Sequence, residues 1–205
     1  MNCLLIVDIQ NDFLPGGALA VPEGEAVIPV INRLQERFDL VLATQDWHPA
    51  DHGSFAASHP GHKIGDVIQL DGIPQVLWPV HCVQNSAGAQ FSAALDTTRV
   101  EKVFRKGTDR NIDSYSTFFD NAKRRSTGLA EYLGEQNVDD IFICGLATDY
   151  CVRFSALDAV ELSFPTTIIE DACRGVNLQP DDSANALREL RKAGAKIQSS
   201  SELLV

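Results

Sequence analysis

Short apolar, β-rich runs recur along this chain, separated by stretches with helical spacing. Six stand out: CLLIV (3–7), LVLAT (40–44), KVFR (102–105), IFIC (141–144), TTIIE (166–170) and AKIQS (195–199). Most are continuous rather than alternating, the pattern of strands covered on both faces. Between them, Val27, Ile31, Leu34 and Phe38 fall at helical intervals. Leu129, Tyr132 and Leu133 share a face, and Val152, Ala156 and Val160 repeat every four residues. In PDDSANALRELRKAG, Leu187 and Leu190 face inward and Gly194 reads as the C-terminal stop. Strands alternating with helices predict an α/β fold, a parallel sheet with helices on both sides.

The segment 46–99 breaks this rhythm. It is rich in Gly, Pro and His, and all five histidines of the chain lie between His48 and His81. A long irregular insertion in a compact domain is usually functional. With 205 residues, the expectation is one domain over the whole chain, 1–205, bearing this insertion at about 46–99.

Charge narrows the partners. A net charge of −11 argues against nucleic acid and against anionic membranes, since both need a basic surface; it suits a small-molecule substrate and leaves room for a homo-oligomer. No apolar run approaches the ~18 residues of a membrane span. The start, MNCLLIVDIQ, lacks the basic region and cleavage site of a signal peptide. Cys3, Cys82, Cys144, Cys151 and Cys173 are an odd number with no CxxC pair, so neither a disulfide scaffold nor a zinc ribbon is expected. The reading is a cytoplasmic, reduced protein.

In open parallel α/β sheets, ligands bind beyond the carboxyl ends of the strands. The first strand leads to Asp8, the second to Asp46 and His48, the third to Lys106, and the fourth to Cys151. An acid, a metal-type pair, an amine and a thiol thus converge on one edge. Cys151 falls where the turn GLATDYC becomes a helix. A helix N-terminus carries partial positive charge, which favours thiolate over thiol. Cys3 and Cys144 read as core thiols. Cys173, in the turn after the fifth strand, lacks so strong a helix-start position. Asp46 and His48, one residue apart in extended chain, point the same way and can chelate one cation. His81 in WPVHC is the third candidate ligand, and His52 a possible fourth; His59 and His62 read as solvated loop residues. Two histidines and a carboxylate leave coordination positions open, as catalytic metals require.

The motifs DIQNDF (8–13), QDWHPADHGSF (45–55), WPVHCVQNSAGAQ (78–90), KGTDRNIDSYSTFFDN (106–121), GLATDYCV (145–152) and DACRGVNLQPDDSANA (171–186) together resemble the nicotinamidases of the isochorismatase-like cysteine hydrolase superfamily. DxQNDF and GxxTxxCV alone mark the superfamily, whereas DWH followed by WPxHC marks its metal-bearing amidase branch. One position departs: Val80 stands where that branch has an acid. The resemblance implies a three-layer α/β/α sandwich with a six-stranded parallel sheet. It implies hydrolysis of nicotinamide to nicotinate and ammonia in NAD salvage, with pyrazinamide also accepted. It implies a catalytic triad of Asp8, Lys106 and Cys151. It implies one divalent metal, zinc foremost with iron or manganese tolerated, on Asp46, His48 and His81. It also implies a cis peptide between Leu146 and Ala147 that turns the N–H groups of Ala147 and Cys151 toward an oxyanion. Phe13, Trp78 and Tyr115 lie in or beside these motifs and could wall an aromatic ring. Two rival readings stand beside it. One is a superfamily amidase or carbamoyl hydrolase with the triad but no need of the metal. The other is a non-catalytic nucleotide-binding module, against which the first turn reads DIQNDFLPGG with no GxGxxG.

Overall fold

The computed structural model describes residues 1–204. A six-stranded sheet contains β1 (Asn2–Val7), β2 (Leu40–Asp46), β5 (Val100–Lys106), β6 (Asp140–Leu146), β7 (Thr166–Arg174) and β8 (Lys196–Gln198). Its order is β5-β2-β1-β6-β7-β8, and every pairing in it is parallel. The helices are α1 (Ile28–Leu34), α2 (Leu129–Glu135), α3 (Arg153–Glu161) and α4 (Asp182–Ala193). The crossover through α1 runs toward the β5 edge, whereas those through α3 and α4 run toward the β8 edge. Parallel crossovers are right-handed, so opposite directions place these helices on opposite faces. This is the three-layer α/β/α arrangement.

The continuous apolar runs occupy the middle of the sheet. All seven residues of β2 are buried, as are Cys3 to Val7 of β1. Cys3 and Cys144 lie fully buried in β1 and β6, as expected of core thiols. β5 is an edge strand; of its residues only Phe104 and Lys106 are buried. α4 ends as expected at Gly194, whose φ of 108° lets its N–H turn back to the last carbonyls.

Strand boundaries shift by one to four residues. β5 begins earlier, at Val100; β7 runs on to Arg174; β8 shrinks to three residues. The insertion is also less irregular than expected. It carries an antiparallel hairpin, β3 (Val67–Leu70) and β4 (Ile73–Val76). Asp71 and Gly72 turn it, with φ of 50° and 84°, the left-handed pair that a two-residue hairpin favours and that Asp-Gly supplies. Among the described residues no helix is long and apolar enough to cross a membrane.

Candidate active site

The strand order reverses between β1 and β6, and there the carboxyl ends diverge into a crevice. Asp8 follows β1 directly, with a φ of 53° that ends the strand. Asp46 closes β2 and Lys106 closes β5, and the two are register partners. Cys151 follows β6 in a π-turn, Thr148–Val152, that runs straight into α3. It therefore sits two residues ahead of the regular helix rather than inside its first turn.

These four side chains meet around one ammonium. Lys106 Nζ lies 2.9 Å from Asp8 Oδ2, donates to Cys151 Sγ at 3.3 Å and to Ser114 O at 3.1 Å, and pairs with Asp46 Oδ1. Thr44 Oγ1 donates to Asp8 Oδ1 at 2.6 Å. Asp8 Oδ2 has the Lys106 ammonium as its neighbour and no further partner among the described residues. Asp8, Asp46, Lys106 and Cys151 are all buried. A charged amine in such a place requires compensating carboxylates.

Burial sets the protonation states. It opposes the ammonium, but Asp46 and Asp8 outweigh it and hold Lys106 well above the usual lysine range. It also opposes the Asp46 carboxylate, and here Lys106 and His48 win, keeping Asp46 ionised well below the usual range. Asp8 is raised, because its desolvation exceeds the pull of Lys106 and Asp46 adds a like charge. Cys151 departs from the sequence-based expectation. Burial pushes its thiol well above the ordinary value, and although Lys106 pulls it down, Asp8 and Asp46 push it further up. Its own burial first, and then two carboxylates within 4.8 Å of the sulfur, favour the thiol over the thiolate here; a helix start alone carries no sign of either.

The second oxygen of Asp46 faces the histidines. Oδ2 is 3.6 Å from His48 Nε2 and 3.8 Å from His81 Nε2. His48 Nδ1 lies 2.8 Å from Gly107 O, and His81 Nδ1 lies 2.8 Å from Pro79 O. A carbonyl only accepts, so each Nδ1 donates and each Nε2 faces Asp46; against its burial, the Asp46 carboxylate holds His48 above the usual histidine range, and a bound cation would take the Nε2 lone pair in place of that proton. His48 Nε2 is buried with no hydrogen-bond partner among the described residues. Zinc ligands at 2.0–2.1 Å in a tetrahedron stand roughly 3.4 Å apart, close to the spacings here, so the residues fit a divalent ion.

His52 packs against His48, ring centroids 4.4 Å apart. Its Nδ1 is 2.7 Å from Ser54 Oγ and its Nε2 3.3 Å from Ile112 O, so both of its nitrogens are already engaged. His59 is half-buried and bonded through Nε2 to Gly53 O at 2.7 Å, whereas His62 is exposed. Cys173 is buried in β7. Val80 is 41% exposed, so an acid there would point to solvent and its absence leaves His81 undisturbed.

A narrow pocket, partly open to solvent, lies over Cys151. Phe13, Trp78 and Tyr115 line it, with Asp46, His81, Ala147 and Tyr150. The Leu146–Ala147 peptide is cis. Trp78 and Tyr150 meet edge-on at 4.9 Å, and Trp78 Nε1 donates to Tyr115 OH at 3.1 Å.

The isochorismatase domain model matches residues 2–202. The chain belongs to the isochorismatase family. Among relatives in this family, the nicotinamidase of Escherichia coli (strain K12) is 52% identical, over 96% of this chain and 93% of its own. The solved nicotinamidase/pyrazinamidase of Acinetobacter baumanii superposes with a TM-score of 0.96 at 43% identity, covering 99% of this chain and 98% of that one. A Pyrococcus horikoshii pyrazinamidase solved in complex with zinc has a TM-score of 0.79 at 38% identity, covering 97% and 98%. Several residues that bond into this isochorismatase-family site carry no signal in the sequence. Thr44 is an ordinary strand residue until Asp8 turns toward it. Gln75 joins the site only through the hairpin, donating to Asp113 Oδ2 at 3.1 Å and Tyr115 OH at 2.9 Å. Gln10 stood in plain view inside DIQNDF without a role.

Proposed function

We propose that the chain hydrolyses nicotinamide to nicotinate and ammonia through a thioester on Cys151, and accepts pyrazinamide as well. The observation that carries this is the shared carboxylate of Asp46. One oxygen holds Lys106 of the amide-cleaving set, and the other faces His48 and His81 beside an aromatic pocket. A general amidase needs the first half; an amide on a nitrogen heterocycle uses both. A divalent ion, zinc in the first place, would be held by Asp46, His48 and His81 and, when bound, offers a Lewis acid to the ring nitrogen.

The protein's own groups account for the acyl chemistry. Asp8, through Oδ2 beside Lys106, takes the Cys151 proton as the sulfur attacks the carboxamide carbon. Asp8 and the sulfur both touch Lys106 Nζ. The transfer therefore moves negative charge between two neighbours of one cation and separates no new charge. The N–H groups of Ala147 and Cys151 are assigned to the oxyanion. Tyr150 and Val152 N–H are already taken by Ala147 O, each at 3.1 Å. Asp8 then gives the proton to the leaving nitrogen, and ammonia departs as the C–N bond breaks. A water, deprotonated by Asp8, hydrolyses the thioester, releasing nicotinate and restoring the thiol. Phe13, Trp78 and Tyr115 are assigned to the faces of the ring.

Incubating the purified chain with nicotinamide and measuring ammonia and nicotinate together tests this. Equal rates on nicotinamide and on an N-carbamoyl amine would favour the general amidase instead.

A further inference from the structure

β1 and β2 are register partners only as far as Ile6 and Ala43. Beyond that, β2 continues to Asp46 while β1 turns off at Asp8. On the far side Asp46 still pairs with Lys106 of β5. On the near side the backbone of Asp46 would have no strand to bond. The carboxamide of Gln10 takes that place. Its Oε1 accepts from Asp46 N–H at 2.8 Å, and its Nε2 donates to Asp46 C=O at 2.8 Å. Nε2 also donates to Ala89 O at 2.9 Å. Gln10 is fully buried. Those two carbonyl acceptors fix which end of the amide is nitrogen.

From this geometry we infer that Gln10 is a positioning residue for Asp46, holding its carboxylate across the gap between Lys106 and the metal ligands. The inference rests on the reading of Asp46, His48 and His81 as a metal set. Gln10 touches neither metal ligand atom nor pocket. It acts by imitating a strand residue: its one amide holds both backbone groups of Asp46 and so the direction in which that side chain leaves the sheet. Asp12, from the same turn, does a parallel service for the next loop, accepting from Cys82 N–H at 2.7 Å beside His81.

The experiment is a zinc titration against a chromogenic chelator on metal-stripped wild type, Gln10→Ala, Gln10→Glu and Gln45→Ala. Gln45 is the control. It is buried, adjoins Asp46 in β2, and donates to the same Ala89 carbonyl at 3.0 Å without bonding Asp46. Outer groups that orient metal ligands typically change affinity about 10–100-fold when removed. Gln10→Ala is expected to weaken zinc in that range. Gln45→Ala is expected to stay within a factor of about three, since loss of a bond that does not reach a ligand costs stability rather than affinity. Gln10→Glu keeps the acceptor for Asp46 N–H and loses the donor to Asp46 C=O. It should fall between Gln10→Ala and wild type, and it carries the test if Gln10→Ala does not fold. Wild-type affinity in Gln10→Ala or in Gln10→Glu, or an equal loss in Gln45→Ala, would overturn the inference while leaving the metal reading intact. A wild-type chain that binds no zinc would overturn both.

Discussion

Gly107→Ala separates a metal-ligand clash from simple backbone strain. Gly107 has a φ of +63°, and a Cβ there would stand 2.3 Å from His48 Cε1 and 2.6 Å from its Nδ1. Carbon atoms in good contact are about 3.5–4.0 Å apart, so the ring or the loop must give by about 1 Å. Metal ligands tolerate about 0.2 Å. The same glycine carbonyl fixes the His48 tautomer, so a loop shift also loosens that bond. The left-handed backbone adds about 1–2 kcal/mol for a residue with a side chain, or roughly 2–8 °C in Tm for a chain of this size. Gly61 is the matched control: its φ is +91° with nothing within 4 Å of a Cβ. Gly61→Ala should show the Tm loss alone. Gly107→Ala should show it together with at least about tenfold weaker zinc binding and a lower kcat/KM for nicotinamide. Thermal denaturation, zinc titration and steady-state kinetics on both variants read the three effects. Wild-type zinc affinity and kcat/KM in Gly107→Ala would refute the placement of His48 as a ligand held against this glycine.

Other outcomes follow from the same contacts. Cys151→Ala should abolish ammonia release while nicotinamide still binds, whereas Cys173→Ala, buried in β7 away from the pocket lining, should keep most turnover; activity surviving in Cys151→Ala would remove the thioester route. Asp8→Asn should lower kcat by roughly 10²–10⁴-fold with little change in nicotinamide binding, and a change confined to KM would reassign Asp8 to binding. Because burial raises Asp8 and its ionised form is the base, kcat/KM should fall as pH drops through a value above the ordinary ~3.9 of aspartate; an acid limb at or below 4 would contradict that role. Benzamide, with the same amide and ring size but no ring nitrogen, should be at least about tenfold poorer in kcat/KM, the penalty of leaving a polar site unmatched, and chelation should erase the gap by weakening nicotinamide.

The hydrophobic pattern alone was enough for the α/β class, the central strands and the α4 stop at Gly194, because burial on both faces and a left-handed C-cap are local demands on residue type. The strand-end rule brought Asp8, Asp46, His48, Lys106 and Cys151 to one edge for the same reason: each lies at its strand's end or within a few residues of it. Only the tertiary structure decided how they share charge. That Lys106 touches Asp8, Asp46 and Cys151 together depends on four strands lying side by side, and that the Cys151 thiol is pushed above its ordinary value depends on its own burial and on the two carboxylates beside it. Short-range signals such as a helix start see the nearest dipole; they do not see charges delivered from other strands. Gln10 marks the same limit. Its residue type was legible, but its task exists only because β1 turns off before β2 ends, and that unpaired backbone arises only once the sheet is assembled.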